Sequence, residues 1–274
     1  MIRFFRLSGG GNDFLALAEP PSPPSPEEVA AWCARGVSAG ADGLFVLSRE
    51  GDAVRMVHFN ADGGRADLCV NGVRCAARLA RHLGWSGEEL VIRTDSGEMR
   101  GRAAGAETAA VTLPPPPPPR PISVDGGARS AWSVRIGVPH LVLEWPQSLA
   151  AAPVAELGPA LRRDPALGEE GANVDFVRFP DRGHLEIRTF ERGVEAETLA
   201  CGSGVLAAVA VGVALDRLVL PAEVVTRGGF PFRVDGAVRE GRVTAWELAG
   251  DARLVAEGIL LPGASQTPRP PRWS

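Results

Sequence analysis

The 274-residue chain contains no lysine and no tyrosine, so all 29 residues in its combined Lys and Arg total are arginine. Without lysine, the Schiff base of pyridoxal phosphate cannot form, and a Walker A phosphate-binding loop cannot be completed. Without tyrosine, no phenol is available as an acid or a base. The formal net charge of −4 does not indicate nucleic-acid binding, which usually appears as a clustered basic face. We therefore expect no nucleic-acid partner.

Long apolar segments are scarce as well. The longest, Gly204 to Leu215, covers 12 residues, whereas a membrane-spanning helix needs about 20. We therefore predict a buried helix there and no membrane association. The first six residues lack the continuous apolar core of a signal peptide. With four cysteines and no export signal, we expect a cytoplasmic protein whose thiols are reduced.

Two of the four cysteines lie in near-copies of one local motif, Cys-Val-Asn-Gly at residues 69–72 and Cys-Gly-Ser-Gly at residues 201–204. Each motif places a thiol on a Gly-containing turn that leads into an apolar helical stretch. The motifs are 201 − 69 = 132 residues apart, which is about half of the chain. This spacing indicates two equivalent halves, each presenting one thiol, Cys69 or Cys201, to a shared cleft.

Paired thiols suit the inversion of a carbon centre without a cofactor. A helix N-terminus stabilises an anion and can hold either a thiolate or a carboxylate, and glycine lets the backbone approach a ligand closely. One thiolate would remove the α-proton of an amino acid while the thiol on the opposite side donates another. The stereocentre would then be inverted, so the pattern is typical of a cofactor-independent racemase.

Other uses of the cysteines are open at this point. Free cysteines are often buried and inert, which is our interpretation of Cys33 and Cys75. A zinc site of four cysteines needs close spacings such as Cys-x2-Cys, whereas the intervals here are 36, 6 and 126 positions. A redox-active pair of cysteines is a further interpretation, although the chain lacks a Cys-x-x-Cys motif.

Short alternating segments separated by turns predict a mixed α/β protein. The expected strands include residues 14–18, 53–59, 90–93, 132–136, 141–144, 174–179 and 185–190. Ser25, Pro26 and Glu28 form a capping box for a helix that we expect to reach Gly36. The helix after Cys201 is apolar on nearly every face, which predicts that a rolled sheet encloses it.

The helix after Cys69 is less uniform. Its apolar stripe consists of Val73, Ala76, Ala77, Ala80 and Leu83, and we expect Arg74, Arg78 and Arg81 on another face. Six consecutive prolines at residues 114–119 predict an extended spacer, which we interpret as the boundary between an N-terminal domain, 1–114, and a C-terminal domain, 115–253. The proline-rich tail, 265–274, is expected to be flexible.

Several motifs resemble those of the diaminopimelate epimerase family. They are Gly11-Asn12-Asp13-Phe14, Gly40 to Gly43, Phe59 to Gly64 with Cys69 to Gly72, Gly137 to His140, Asn173-Val174, and Glu191-Arg192-Gly193 with Glu197 to Gly204. They follow the family's order from residue 1 to about 262. The resemblance implies an α+β fold of two pseudo-symmetric domains, each a curled, mostly antiparallel sheet around a central helix. The active site would lie in the cleft between them, and a C-terminal strand, 254–264, would pack on the first domain.

The resemblance also implies the residues of the site. Cys69 and Cys201 are the expected acid/base pair, and His140 and Glu191 would help to set their protonation. The expected substrate-binding residues are Asn12, Asn60, Asn71, Gly72, Asn173, Glu191, Arg192, Gly202 and Ser203. Arg192 offers a planar fork for a distal carboxylate. Backbone N–H groups at Asn71–Gly72 and Gly202–Ser203 would bind the reacting carboxylate.

The implied activity is epimerisation of LL-2,6-diaminopimelate to the meso isomer, in lysine and peptidoglycan precursor synthesis, with no cofactor and no metal. A small amino acid is the expected partner, and the resemblance allows a homodimer. Two positions depart from the family pattern. Val70 replaces the usual Gly after the first cysteine, where a β-branched residue would be costly if φ were positive. Val138 replaces an Asn that contacts substrate in many members. These departures leave open a related racemase for another amino acid, or a homologue that binds an amino acid without turnover.

Overall fold

The computed structural model describes residues 1–66, 69–124 and 130–266. Within these ranges it contains four α-helices and seventeen strands. The helices are α1 (Pro26–Cys33), α2 (Val70–His82), α3 (Val154–Leu161) and α4 (Gly202–Ala214). The strands are β1 (Ile2–Gly9), β2 (Asn12–Ala18), β3 (Gly43–Glu50), β4 (Ala53–Asn60), β5 (Leu90–Thr94), β6 (Gly97–Ala103), β7 (Thr108–Leu113), β8 (Arg120–Ile122), β9 (Ala131–Ile136), β10 (Val138–Glu144), β11 (Asn173–Asp181), β12 (His184–Glu191), β13 (Ala196–Thr198), β14 (Ala222–Thr226), β15 (Pro231–Arg239), β16 (Arg242–Asp251) and β17 (Arg253–Leu260). Each of the seven strands predicted above is confirmed.

The strands form one sheet in which two halves repeat the same pairing pattern. In the first half, β1–β2, β3–β4, β5–β6 and β6–β7 are antiparallel, whereas β2–β3 and β4–β5 are parallel. In the second half, β9–β10, β11–β12, β14–β15 and β15–β16 are antiparallel, whereas β10–β11 and β12–β14 are parallel. Each parallel step is crossed by a helix, so α1 and α2 correspond to α3 and α4. The half-repeat predicted from the cysteine motifs is therefore present in the strand order.

The two halves share strand pairings. β7 of the first half pairs antiparallel with β16 of the second. The last strand, β17, returns to pair antiparallel with β1, with Leu260 opposite Ile2. Since one continuous sheet crosses both halves, the domain limits at residues 114 and 253 stay predictions.

Each half wraps its strands around one central helix. α2 contacts β1, β4 to β7 and β17, and α4 contacts β9 to β12, β15 and β16. Every residue of α4 from Gly202 to Val213 is buried, which confirms that the sheet encloses it. A helix without a polar face has no stable position at the surface. Gly212 permits the tight packing, because a Cβ there would lie 2.6 Å from Cε1 of Phe179.

The end of the first helix differs from the prediction. α1 has the expected capping box at Ser25, but it ends at Cys33 and not at Gly36. Ala34 is extended, and the Arg35 guanidinium forms ion pairs with Asp13 and with Asp42 at 2.7 Å. The carbonyl groups of Trp32 and Cys33 accept hydrogen bonds from the N–H groups of Gly40 and Ala41, at 2.9 and 3.1 Å, in place of a further helical turn.

Arg74 was expected on a different face of α2 from the apolar stripe, and the structure adds that this part of the helix is enclosed as well. Its side chain is fully buried, with the guanidinium 4.7 Å from the centroid of the Phe232 ring. Its Nη2 donates to Oδ1 of Asn71 at 2.7 Å. A buried cation of this kind is stable only while such partners hold it.

No helix in residues 1–66, 69–124 and 130–266 is long and apolar enough to cross a membrane. Near the C-terminus, Oγ of Ser265 accepts a hydrogen bond from the Trp32 indole at 3.0 Å. Most of the tail that was predicted to be flexible, from residue 267 onward, lies outside the described residues.

Candidate active site

Cys69 and Cys201 occupy equivalent places in the two halves. Each is the N-cap residue of a central helix, Cys69 of α2 and Cys201 of α4, and each has an extended backbone. Sγ of Cys69 accepts a hydrogen bond from the Gly72 N–H at 3.4 Å, and Sγ of Cys201 lies 3.3 Å from Oγ of Ser203. The first N–H groups of a helix have no partner within the helix. Each sulfur therefore lies beside such donors, at the positive end of the dipole of its own helix.

The two helix starts touch each other. Nδ2 of Asn71, in α2, donates to the carbonyl oxygen of Ala200 at 3.1 Å. A Cβ on Gly202 would lie 3.0 Å from Oδ1 of Asn71 and 3.0 Å from Cβ of Val70. Glycine therefore permits this approach, since a side chain at position 202 would push the helices apart. The fold thus brings together two motifs that are far apart along the chain.

A line of buried polar groups extends from Cys201 into the sheet. Ser203 Oγ lies 3.1 Å from Nε2 of His140, and Nδ1 of His140 lies 2.7 Å from Oδ2 of Asp175. The hydroxyl of Thr189 donates to the other oxygen of Asp175 at 2.8 Å. His140, expected at the site from the sequence, therefore reaches Cys201 through Ser203.

Glu191 ends β12 beside the thiols. Its carboxylate accepts a short hydrogen bond from the hydroxyl of Thr198. Although Glu191 keeps some contact with solvent, burial by the surrounding protein is the largest influence on the pKa of its carboxylate and raises it. The hydrogen bonds from Thr198 and Cys201 oppose that rise. Glu191 is close enough to raise the pKa of both Cys69 and Cys201, so one carboxylate influences both thiols.

Burial favours the protonated form of both thiols. It raises the pKa of Cys69 to about 11, with a contribution from Glu191, while the N–H of Gly72 and the charge of Arg74 lower it. Burial also raises the pKa of Cys201 well above its usual range, helped by the charges of Glu191 and Asp175. The sequence suggested that the helix ends favour thiolates, but desolvation of the two thiols outweighs the effect of the helix ends.

Cys69 shares a small cavity with His58 and Asp95. Burial lowers the pKa of His58 to about 4, so the imidazole is neutral at pH 7. Neither of its ring nitrogens has a hydrogen-bond partner within the part of the chain that the structure describes. His58 was not expected at the site, because a lone histidine in an alternating strand carries no motif.

The expected asparagines differ in their surroundings. The side chain of Asn12 accepts a hydrogen bond from Asn71 at 2.8 Å and donates one to Asp42 at 3.3 Å. Asn12 and Asn71 therefore hold each other at the start of α2. Asn173 accepts from the N–H of Arg192 at 2.8 Å, and its Nδ2 lies 4.0 Å from Sγ of Cys201. Asn60 is exposed at the end of β4. The structure therefore gathers three of the four around the two helix starts.

Arg192 lies at the edge of the site, with its side chain 20% exposed. Its Nη1 donates to Oε1 of Glu170 at 2.9 Å, and Arg135 donates to the other oxygen of Glu170 at 2.5 Å. A carboxylate of the protein itself therefore lies against the guanidinium that was expected to bind a distal carboxylate. Glu170 is exposed, which leaves it able to move away.

The two departures from the family pattern have different consequences. Val70 is the first residue of α2 and has a helical backbone, so the strain that a positive φ would cause at this residue is absent. Its side chain instead faces Gly202 of the other helix. Val138 begins β10, half-buried and opposite Ile136. It can offer only apolar contact to a ligand.

Comparison with known proteins assigns the chain to a family. The diaminopimelate epimerase family model matches residues 4–112 and 132–243. A diaminopimelate epimerase from Methanothrix thermoacetophila is 34% identical over 286 residues, covering 97% of this chain and 98% of the relative. Another from Gemmatimonas aurantiaca is 38% identical over 218 residues, covering 75% and 77%. The chain belongs to the diaminopimelate epimerase family. As a member of this family it is an isomerase that epimerises an amino acid.

Solved structures of low sequence similarity share the fold of this diaminopimelate epimerase family member. A probable proline racemase from Agrobacterium radiobacter has a TM-score of 0.72 at 14% identity, covering 97% of this chain and 96% of that one. A phenazine biosynthesis protein of the PhzF family from Enterococcus faecalis has a TM-score of 0.70 at 18% identity, covering 95% and 99%. At these identities the likeness concerns the fold alone. It supports the α+β architecture of two similar halves that the sequence predicted.

Sequence reasoning missed several polar residues of this epimerase family site. Asp175 and Thr189 lie directly opposite each other on β11 and β12, and Thr198 contacts Glu191. One signal was available, because Asp175 interrupts the apolar strand segment Val174 to Phe179. A carboxylate at such a position is rarely buried without a partner.

Proposed function

We propose that this protein converts LL-2,6-diaminopimelate into the meso isomer by a two-base mechanism at Cys69 and Cys201. The observation that carries the proposal is the contact between two helix starts, each capped by a cysteine. The relatives named above are diaminopimelate epimerases. The reaction would belong to lysine and peptidoglycan precursor synthesis.

In the proposed reaction, the α-carbon lies between the two sulfurs. One thiolate takes the α-proton and becomes a thiol, while the thiol on the opposite face gives its proton to the carbon. The stereocentre inverts, and the pair ends with the same number of protons. The N–H groups at the helix starts bind the α-carboxylate and stabilise the negative charge that develops as the proton leaves. No lysine is present in the chain to form a Schiff base.

One thiol has to lose its proton before the reaction can begin, since burial raises the pKa of both. Two groups beside Cys201 could accept that proton, Glu191 through its hydrogen bond to the thiol and His140 through Ser203. Because burial also raises the pKa of Glu191, its basicity is closer to that of a thiolate than an exposed carboxylate would be. Proton transfer between groups of closer pKa has a smaller free-energy difference.

Recognition of the distal end of the substrate is expected at Arg192. Its guanidinium donates to Glu170, so a distal carboxylate of the substrate would replace one carboxylate by another. The Arg192 guanidinium would then be paired with a carboxylate both before and after the substrate binds. Glu191 would accept a hydrogen bond from the distal ammonium group.

The test is exchange of the α-proton in deuterated buffer, with reduced protein, LL-diaminopimelate and no pyridoxal phosphate. We expect deuterium at the α-carbon together with the meso isomer. The variants Cys69→Ser and Cys201→Ser should each lower kcat by at least about 10²-fold, the usual contribution of an acid/base group. Cys33→Ser, which changes a buried cysteine of α1, is the matched control and should keep its activity.

Three outcomes would change the proposal. Exchange with another amino acid, but not with diaminopimelate, would retain the two bases and reassign the substrate. No exchange across a panel of amino acids would favour a protein that binds without turnover. Full activity in both Cys→Ser variants would exclude the two-thiol mechanism.

A further inference from the structure

The polar line behind Cys201 is enclosed by the second half of the sheet. His140 and Asp175 have no exposed surface, and Thr189 and Ser203 are 3% and 6% exposed. Asp175 sits in β11 between Val174 and Phe176, both fully buried. A carboxylate in such surroundings carries a large desolvation penalty unless its oxygens are hydrogen-bonded. Here each oxygen has a partner, the imidazole on one and the hydroxyl of Thr189 on the other.

The start of α4 is shaped to admit this carboxylate. A Cβ on Gly204 would lie 2.5 Å from Oδ1 of Asp175 and 3.2 Å from Oγ1 of Thr189. Any other residue at position 204 would therefore displace the acid or the helix. The positive end of α4 also favours a negative charge beside it. Asp175 is thus held on one side by the sheet and on the other by the helix that begins at Cys201.

The position of Asp175 determines which ring nitrogen of His140 carries the proton. An ionised carboxylate 2.7 Å from Nδ1 requires a proton on Nδ1, because two lone pairs at that distance repel each other. Nε2 of the neutral ring then has a lone pair and accepts from the hydroxyl of Ser203 at 3.1 Å. Ser203 Oγ in turn lies within hydrogen-bond distance of the Cys201 thiol.

We propose that Asp175 is a positioning residue that keeps the proton of neutral His140 on Nδ1, so that Ser203 relays a proton between Cys201 and His140 Nε2. This inference rests on the proposed function, since it assigns a protonation path to one of the two thiols. Thr189 supports the same arrangement by occupying the second oxygen of the acid.

The relay conserves charge and protons. The S–H bond of Cys201 breaks as an O–H bond forms on Ser203, and the original O–H bond of Ser203 breaks as an N–H bond forms on His140. The products are a thiolate and an imidazolium, and Asp175 stabilises the imidazolium. In the product state, the hydrogen bonds reverse, because His140 Nε2 donates to Ser203 and Ser203 donates to the thiolate. The same atoms therefore serve both protonation states.

The first experiment reads the tautomer of His140 directly. The chain has only four histidines, so ¹⁵N NMR of histidine-labelled protein, with His140→Gln for assignment, can follow each ring. We expect neutral His140 to carry its proton on Nδ1 in the wild type. In Asp175→Asn, the amide can donate to Nδ1, and we expect the proton on Nε2. A wild-type ring protonated on Nε2 would overturn the proposal, even if Asp175→Asn does not fold.

Kinetics provide the second experiment. Asp175→Asn should lower kcat by about 10²- to 10⁴-fold, the range for losing a correctly placed acid/base partner, and should change KM by less than about threefold. Asp164→Asn, which changes a different buried acid, at the start of a 3₁₀ turn, is the control and should resemble the wild type. A folded Asp175→Asn with wild-type kcat would refute the relay.

The tautomer measurement needs no substrate, so it also separates this inference from the proposed function. A wild type without turnover would leave the tautomer of His140 unaffected, whereas a wild-type ring protonated on Nε2 would overturn the relay whatever the turnover.

Discussion

The side chain of Asn71 joins the two halves, and its removal should destabilise the whole protein. It is 3% exposed and takes part in three hydrogen bonds. Nδ2 donates to Asn12 at 2.8 Å and to the carbonyl of Ala200 at 3.1 Å, and Oδ1 accepts from Arg74 at 2.7 Å. Asn71→Ala would remove all three and leave both the carbonyl and the guanidinium short of a partner.

The expected effect is large compared with ordinary protein stability. A buried polar group left without a partner costs about 1–3 kcal/mol, and a charged group more, so we expect a loss of about 3–5 kcal/mol. Burial lowers the pKa of Arg74 to about 10, and at pH 7 the side chain therefore keeps its charge. Nη1 of Arg74 has no partner among the residues that the structure describes. Losing Asn71 would therefore make the guanidinium the main source of instability.

Urea unfolding, followed by tryptophan fluorescence and far-UV circular dichroism, measures this change in the free energy of unfolding. Asn60→Ala is the matched control, because Asn60 is exposed, and it should stay within about 0.5 kcal/mol of the wild type. The double variant Asn71→Ala/Arg74→Met removes the stranded charge as well. It should be more stable than the sum of the single changes predicts, by at least about 1 kcal/mol. A loss below about 1 kcal/mol in Asn71→Ala, or strict additivity, would refute this reasoning.

Two further predictions concern packing and thiol chemistry. Gly212→Ala should destabilise the protein by about 1–3 kcal/mol, since the added Cβ would lie 2.6 Å from Phe179. Gly87→Ala should be nearly neutral, because no heavy atom lies within 4 Å of the position of the added Cβ. Urea titration compares the two variants. Because burial raises the pKa of Cys69 to about 11 and that of Cys201 above its usual range, few thiolates exist at pH 7. Iodoacetamide should therefore alkylate the empty enzyme slowly there and about tenfold faster per pH unit up to about pH 10. A rate that levels off below pH 8 would show that the raised pKa values are wrong.

Several features of the fold could be predicted because they depend on short stretches of chain. The capping box at Ser25 is a contact between residues three positions apart, and it is present. The end of α1 was misplaced, because the last carbonyl groups of the helix, at Trp32 and Cys33, accept from Gly40 and Ala41, which return from beyond the helix. Helical periodicity placed Arg74 on a face of α2 away from the apolar stripe. Periodicity could not reveal that the Arg74 guanidinium would lie over the Phe232 ring and donate to Asn71.

The candidate site divides in the same way. The two cysteine motifs stand out because a thiol, nearby glycines and an apolar helix are adjacent in the chain, and their repetition indicates two halves. The family resemblance added His140 and Glu191, but it could not show how His140 reaches Cys201. That link passes through Ser203 and on to Asp175, and it requires β10, β11 and the start of α4 to lie side by side.

By itself, the sequence determined that two thiols begin two helices in equivalent halves. This conclusion follows from local composition and spacing, which do not change when the chain folds. Only the tertiary structure decided that the helix starts touch at Gly202, that Asp175 is buried against His140, and that burial raises the pKa of both thiols. The physical reason is that hydrogen bonding and desolvation depend on which atoms lie within a few ångströms, and strand register and helix packing set those distances.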